Sequence, residues 1–351
     1  MAIDEVKLNA FFGTALNDIG AGMSVALVII GDKLGLYKAM AGAGPITSAE
    51  LAKRSGTTER YIREWLRNQA AGGYVAYDPK TQRYTLPDEQ AMALADESSP
   101  LYLPGAFQII SSVLKDEPKI REAFRSGNGV AWGEHDPGLF EGTERFFRPS
   151  YRAHLISSWI PALDGVEAKL RDGACVADVG CGHGASTLIM AQAFPKSTFI
   201  GYDYHESSIA WAHKAAVKAG LDRRVTFEVA SSTDFPGSDL DLVACFDCLH
   251  DMGDPVGAAR HIRHALKPDG TWLVVEPFAE DEVEKNLNPV GRTFYAASTL
   301  VCVPASIAHG GPALGAQAGE AKLREVVLAG GFTRFRRATQ TPFNLILEAR
   351  P

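Results

Sequence analysis

The sequence has 351 residues, enough for two domains or three at roughly 100–200 residues each. Hydrophobic residues make up 46% and charged residues 22%, which excludes a disordered chain and fits a globular one. Lysine and arginine number 35 against 42 acidic residues, so a net charge of −7 argues against bulk nucleic acid or an anionic membrane as partner.

The longest apolar run, around residues 24–30, falls far short of the roughly 20 residues a membrane span needs. Met1–Glu5 lacks the basic-then-apolar order of a secretory signal. Five cysteines are too few, and odd in number, for a disulfide framework. These features together predict a cytoplasmic protein with no membrane attachment.

Residues 1–95 read as helices followed by a hairpin. Thr47-Ser48-Ala49-Glu50 has the spacing of a capping box and starts a short helix that Gly56 ends. A second helix runs from Glu59 to about Ala71. On it Tyr61, Ile62, Trp65 and Leu66 share one side, with Arg60, Arg63 and Arg67 opposite. Gly72-Gly73 stops it, and two strand-like runs, 74–77 and 83–86, flank the turn Asp78-Pro79-Lys80-Thr81. That order describes a winged helix-turn-helix. The apolar N-terminal residues (Phe11, Phe12, Leu16, Ile19, Met23, Val25, Leu27) suit a homodimer interface as well as an interdomain core.

Residues 96–170 read as a helical, aromatic-rich linker that contributes to a substrate pocket. From 171 to 351 strands alternate with helices. Predicted strands are 175–179, 198–203, 225–230, 240–246, 271–276, 333–338 and 343–349, with helices at 186–193, 207–219 and 256–266. Short apolar strands alternating with helices predict an α/β fold, a Rossmann-like and mostly parallel sheet covered on both faces. Only residues 339–342 separate the last two strands, so they form a hairpin and the seventh strand is antiparallel. Residues 280–318 are a long insertion with the length of a lid.

Asp178-Val179-Gly180-Cys181-Gly182-His183-Gly184 sits where the first strand of this region meets its first helix. Open α/β sheets bind ligands at the carboxyl ends of their strands, and glycines there let backbone approach a ligand. The pattern is Gly-x-Gly-x-Gly with Ala185 following, so a pyrophosphate cradle and a nicotinamide oxidoreductase are disfavoured. No Gly-Lys-Ser/Thr follows either, which removes a P-loop. Asp203, at the end of the next strand, can accept from both ribose hydroxyls of an adenosine, or serve only as a helix cap. Cys245-x-x-Cys248 has no second pair, so no metal is expected.

With Ala230-Ser231-Ser232-Thr233-Asp234-Phe235 after the third strand, and Leu266-Lys267-Pro268-Asp269-Gly270 before the fifth, residues 171–351 resemble a class I S-adenosylmethionine-dependent methyltransferase. With the N-terminal module, the chain is similar to winged-helix small-molecule O-methyltransferases and to actinobacterial winged-helix methyltransferases of unassigned substrate. The resemblance implies S-adenosyl-L-methionine as cofactor. Asp178 would help hold its ammonium, directly or through water. Gly180 would offer a carbonyl within the Gly180, Gly182 and Gly184 loop, and Asp203 would take the ribose. Asp234 and the Phe235 N–H would hold adenine, although Ala230-Ser231 stands where Gly-Asp is usual. Tyr204 would lie on the adenine face or serve ordinary packing.

The stretch Asp247-Cys248-Leu249-His250-Asp251-Met252 resembles the His-Asp-Trp segment of the same O-methyltransferases, with Met252 in place of tryptophan. The resemblance makes His250 the catalytic base for a hydroxyl. The alternative is that His250 only shapes the pocket while transfer proceeds by positioning. Tyr151, His154, Glu276, Tyr295 and His309 are candidate substrate-pocket residues. The implied reaction is methyl transfer to a small, apolar or aromatic molecule at oxygen. The competing reading is a winged-helix transcriptional regulator that presents Arg60, Arg63 and Arg67 to DNA and senses a ligand through its second domain.

Overall fold

A computed structural model describes residues 3–351. Met1 and Ala2, the start of the segment read above for a secretory signal, lie outside the described residues. The chain divides into two compact units. Residues 1–111 with 145–149 form one, and residues 112–144 with 150–351 form the other, so the stretch 96–170 is shared between them.

The first unit opens with a 29-residue helix, Glu5–Lys33, capped by Asp4, whose carboxylate accepts from the N–H groups of Val6 and Lys7. This helix is long and apolar enough to cross a membrane by length and composition, although its longest uninterrupted apolar run is not. Phe11, Phe12, Leu16, Ile19 and Met23 are exposed along it, while Val25 and Val28 are buried. The capping box forms as read: the Glu50 N–H donates to Thr47 Oγ1 at 3.2 Å and the Thr47 N–H to Glu50 Oε2 at 2.7 Å. Helix Glu59–Ala71 buries Ile62, Trp65 and Leu66 against Val28, Leu36, Tyr37 and Leu51, but Tyr61 is 79% exposed. Tyr61 lies at the margin of the apolar stripe, where no element covers it. The basic face of that helix is neutralised within the helix: Arg60 and Arg67 both pair with Glu64, and Arg63 pairs with Glu59. Strands β1 (Ala76–Asp78) and β2 (Arg83–Thr85) form the antiparallel wing.

The second unit is built on a seven-stranded sheet. Its strands are β3 (Cys175–Val179), β4 (Thr198–Asp203), β5 (Val225–Val229), β6 (Leu240–Phe246), β7 (Leu266–Pro277), β8 (Arg334–Gln340) and β9 (Asn344–Arg350), in the order β5-β4-β3-β6-β7-β9-β8. Strands β3 to β7 pair in parallel and β9 runs antiparallel between β7 and β8. The predicted strands and helices are present within a residue or two, except that β7 begins at Leu266, five residues before the predicted start at 271. Residues 267–270 loop out of the ladder, since Leu240 pairs with Leu266 and Leu242 already with Thr271. Near-continuous apolar runs bury both faces of β6 and β7, as a sheet covered by helices on both sides requires.

Chain order reverses beside β3, whose two neighbours are β4 and β6. That reversal is the topological switch point, and it opens a crevice above the carboxyl ends of these strands. Residues 280–318 are largely helical, with Pro289–Ala297 and Val303–Ala308 joined by a π-helical turn, Ser298–Cys302. The insertion is tied to the segment before the sheet, because the Val130 N–H donates to Pro304 O at 3.0 Å. A Cβ on Gly129 would stand 2.0 Å from the Ala308 backbone nitrogen. Gly129→Ala is therefore expected to cost about 1–3 kcal/mol by overpacking against rigid backbone, read as a lowered melting temperature.

Candidate active site

The glycine loop after β3 is held by the next strand. The Gly180 and Cys181 N–H groups donate to Tyr202 O at 2.8 and 3.0 Å. Gly180 (φ 77°) and Gly184 (φ 79°) are left-handed, and each also lacks room for a side chain. A Cβ on Gly180 would meet Cys248 Sγ at 2.6 Å, and one on Gly184 would meet the Phe227 ring at 2.6 Å. Above Gly182 (φ 52°) there is open space.

Asp178 is fully buried beneath the loop. Its Oδ2 accepts from Ser186 Oγ and Thr187 Oγ1, both at 2.6 Å, while Oδ1 has no partner. Burial pushes its pKa up to about 6. An acceptor left bare in the interior is costly unless something fills it, and a cationic donor fits. Asp203 ends β4 and accepts from the Gly182 N–H through Oδ2 (2.9 Å) and from the His205 N–H through Oδ1 (2.8 Å). Each oxygen keeps acceptor capacity. Burial raises the Asp203 pKa too. His183, inside the loop, stacks on Trp211 at 5.1 Å with a buried Nδ1 that has no partner, and burial lowers its pKa to about 4. These acceptors fit a nucleoside that carries a cationic amine.

Around this crevice, Tyr204 is half exposed, sets its ring edge-on to His309 at 5.3 Å, and accepts at its hydroxyl from the Trp132 N–H. Asp234 is exposed, and its N–H donates back to Ser231 O at 3.3 Å. The Phe235 ring is buried, stacked on Tyr202 at 5.0 Å and edge-on to His261 at 4.4 Å.

His250 lies in a short turn, Leu249–Asp251, just past β6, and is 3% exposed. Glu276, near the end of the adjacent β7, faces it. Glu276 Oε2 lies 2.5 Å from His250 Nδ1, and Oε1 accepts from the Leu249 N–H at 2.9 Å. Both oxygens of Glu276 are therefore turned to the His250 turn, although the sequence reading gave this residue to the substrate pocket. Burial opposes an imidazolium, but the Glu276 carboxylate and Cys302 outweigh it and hold the His250 pKa well above the ordinary value. The insertion backs this turn: Gly315 N–H donates to His250 O at 3.2 Å, and Ser306 Oγ–H donates to Met252 O at 2.9 Å.

Of the other pocket candidates, Tyr151 is buried and donates to Asp247 Oδ2 at 3.0 Å. His154 is half-buried and stacks on Trp159 at 6.1 Å. Tyr295 is half-buried on helix Pro289–Ala297, and His309 is exposed beside Tyr204. Sequence reasoning did not single out Asp247, Asn344, His183 or Trp132 as functional. For Asp247 and His183 the signal available was a polar residue just past the carboxyl end of a central strand; Asn344, at the start of β9, and Trp132, upstream of the sheet, offered no such signal. Among the described residues no group of His, Cys, Asp and Glu side chains is placed to hold a metal ion.

Comparison with known proteins agrees with this geometry. Residues 21–96 match the family described as Rv2258c-like winged HTH domain, and residues 170–311 match the family described as Methyltransferase domain. The 27-O-demethylrifamycin SV methyltransferase of Amycolatopsis mediterranei is 30% identical over 139 residues, covering 37% of this chain and only 51% of that protein. Acetylserotonin O-methyltransferase of Mus musculus molossinus is 27% identical over 360 residues, covering 96% of this chain and 88% of that protein. The solved structure of the mitomycin 7-O-methyltransferase superposes with a TM-score of 0.71 at 19% identity, covering 99% of this chain and 100% of that one. Human N-acetylserotonin methyltransferase in complex with S-adenosylmethionine gives 0.68 at 15% identity, covering 97% of each chain. The chain thus joins residues that match a winged helix-turn-helix family to residues that match a methyltransferase-domain family, in a fold shared with solved O-methyltransferase structures.

Proposed function

We propose that this chain transfers the methyl group of S-adenosylmethionine to an oxygen of a small, apolar or aromatic molecule, with His250 as the general base. The observation that carries this reading is the His250–Glu276 pair, 2.5 Å apart at the carboxyl ends of β6 and β7, beside the glycine loop. The cofactor supplies an electrophilic methyl on a sulfonium. Asp178 Oδ1 would receive its ammonium, the Gly180 carbonyl would share that charge, and Asp203 would receive the ribose hydroxyls. Tyr204, Asp234 and the Phe235 N–H would line the adenine end. Glu276 holds the imidazole through Nδ1, which directs Nε2 to the proton of the incoming hydroxyl. His154, Tyr151, Tyr295 and His309 are the proposed pocket walls, and residues 280–318 the proposed lid.

Asp203→Ala is expected to weaken S-adenosylhomocysteine binding about tenfold or more, from the loss of charge-assisted bonds. Calorimetry checks this, and an unchanged affinity would remove Asp203 from the cofactor site. The function itself is tested by incubating the full chain with S-adenosylmethionine and a panel of phenols, following S-adenosylhomocysteine release. Tight cofactor binding with no acceptor-dependent release across phenols, amines and thiols would sink the reading.

The chain is also proposed to be a cytoplasmic homodimer, in keeping with five unpaired cysteines and the exposed apolar side of helix Glu5–Lys33. The regulator reading is disfavoured by the pairing of Arg60, Arg63 and Arg67 with glutamates on their own helix, which leaves little net charge for phosphates. A salt-dependent gel shift with sequence-preferring binding would reverse that judgement.

A further inference from the structure

Beside the His250–Glu276 pair lies a second carboxylate with partners of its own. Asp247 follows β6 directly and has φ 52°, the left-handed region that a non-glycine residue enters at a cost. Its N–H donates to Val275 O at 2.7 Å, which fixes the turn against β7. The Tyr151 hydroxyl donates to Asp247 Oδ2 and Asn344 Nδ2–H, at the start of β9, donates to Oδ1, both at 3.0 Å. The Tyr151 ring is itself lodged against Phe246 (5.2 Å) and Trp159 (5.9 Å).

A helix, a strand end and a central turn therefore converge on one carboxylate. The turn alone does not ask for an acid, since asparagine also tolerates the left-handed region and could keep both partners. An acid here is held at some cost: burial, then the like charge of Glu276, pushes its pKa up to about 7 against the opposing pull of Tyr151, His250 and Asn344. A carboxylate offers about four acceptor positions and these contacts fill two. Asp247 as a residue is half-buried where Phe246, Leu249 and His250 are buried.

Resting on the methyl-transfer reading above, we propose that Asp247 selects the acceptor molecule. Its free acceptor positions take a hydrogen bond from a hydroxyl or amine next to the oxygen being methylated, and its charge turns away acceptors with a carboxylate there. Tyr151 and Asn344 are positioning residues that aim Asp247. The selection is of the kind in which a polar group built to meet a donor rejects the analogue that lacks it.

The test uses the full chain at pH 8 with S-adenosylmethionine and three acceptors on the same ring: 2-aminophenol, phenol and salicylate. S-adenosylhomocysteine binding is measured in parallel. The expected result for the unaltered protein is a kcat/KM for O-methylation of 2-aminophenol about tenfold or more above that of phenol, with salicylate lowest. In Asp247→Asn the ratio of 2-aminophenol to phenol should fall to within about twofold, and salicylate should gain on phenol. Tyr151→Phe should lower the same ratio partway, and it carries the test if Asp247→Asn fails to bind S-adenosylhomocysteine. Equal kcat/KM for the three acceptors in the unaltered protein, or a ratio that survives Asp247→Asn, would overturn the role of Asp247 while leaving methyl transfer standing. Absence of turnover with all three, while S-adenosylhomocysteine still binds and other phenols are also inert, would overturn both.

Discussion

His250→Ala is expected to lower kcat by about 10²–10⁴-fold, the range over which a positioned general base contributes, while S-adenosylhomocysteine affinity stays within about twofold. The reasoning is local. His250 does not touch the loop 180–184 or Asp203, so its loss should leave the proposed cofactor cradle intact. It does leave the buried Glu276 with only the Leu249 N–H as partner, and a buried polar group short of partners costs stability. Calorimetry therefore serves as the control for folding, and single-turnover kinetics as the readout of chemistry. Retained turnover with bound cofactor would mean that the oxygen is deprotonated elsewhere and that transfer depends on in-line positioning alone.

Much of the proposed cofactor site was legible because its determinants are local. The glycines of 180–184 and the aspartate ending β4 lie at strand ends that the alternation of apolar strands and helices already located. The capping box at Thr47 was equally readable, since its two partners are three residues apart. Pairings across the sheet were not. His250 and Glu276 are 26 residues apart and meet only because β6 and β7 are neighbours in parallel register. Tyr151 reaches Asp247 across 96 residues and Asn344 reaches it across 97. Nothing in the spacing of those residues encodes their contact, so the sequence named Glu276 and Tyr151 as candidates without revealing their partners. The arginines of helix Glu59–Ala71 are a different case. Their glutamate partners stand three or four residues away, the spacing at which helical side chains meet, so this neutralisation could have been read from the sequence.

The Glu276–His250 pair also sets a direction for pH dependence. A base must be neutral to accept a proton, so kcat should rise with pH through the pKa of His250. The Glu276 charge holds that pKa well above the ordinary histidine value, so the acid limb of the profile should lie on the alkaline side of a typical imidazole. Glu276→Gln removes the charge that favours the imidazolium while burial continues to oppose it. The limb should then move toward acid by about one unit or more, the scale of a close opposite charge. Its plateau should fall as well, by about 10²-fold or more. A glutamine amide can donate to Nδ1 and so stabilise the tautomer with the proton on Nε2, which has no lone pair for the substrate, as happens when the carboxylate behind a catalytic histidine becomes an amide. Glu276→Asp should restore the charge with a shorter reach and recover part of the alkaline shift. A profile that keeps its limb in Glu276→Gln would show that the titrating group is not His250, and Asp247 and Asp251, both pushed up to about 7 by burial, would be the next groups to substitute.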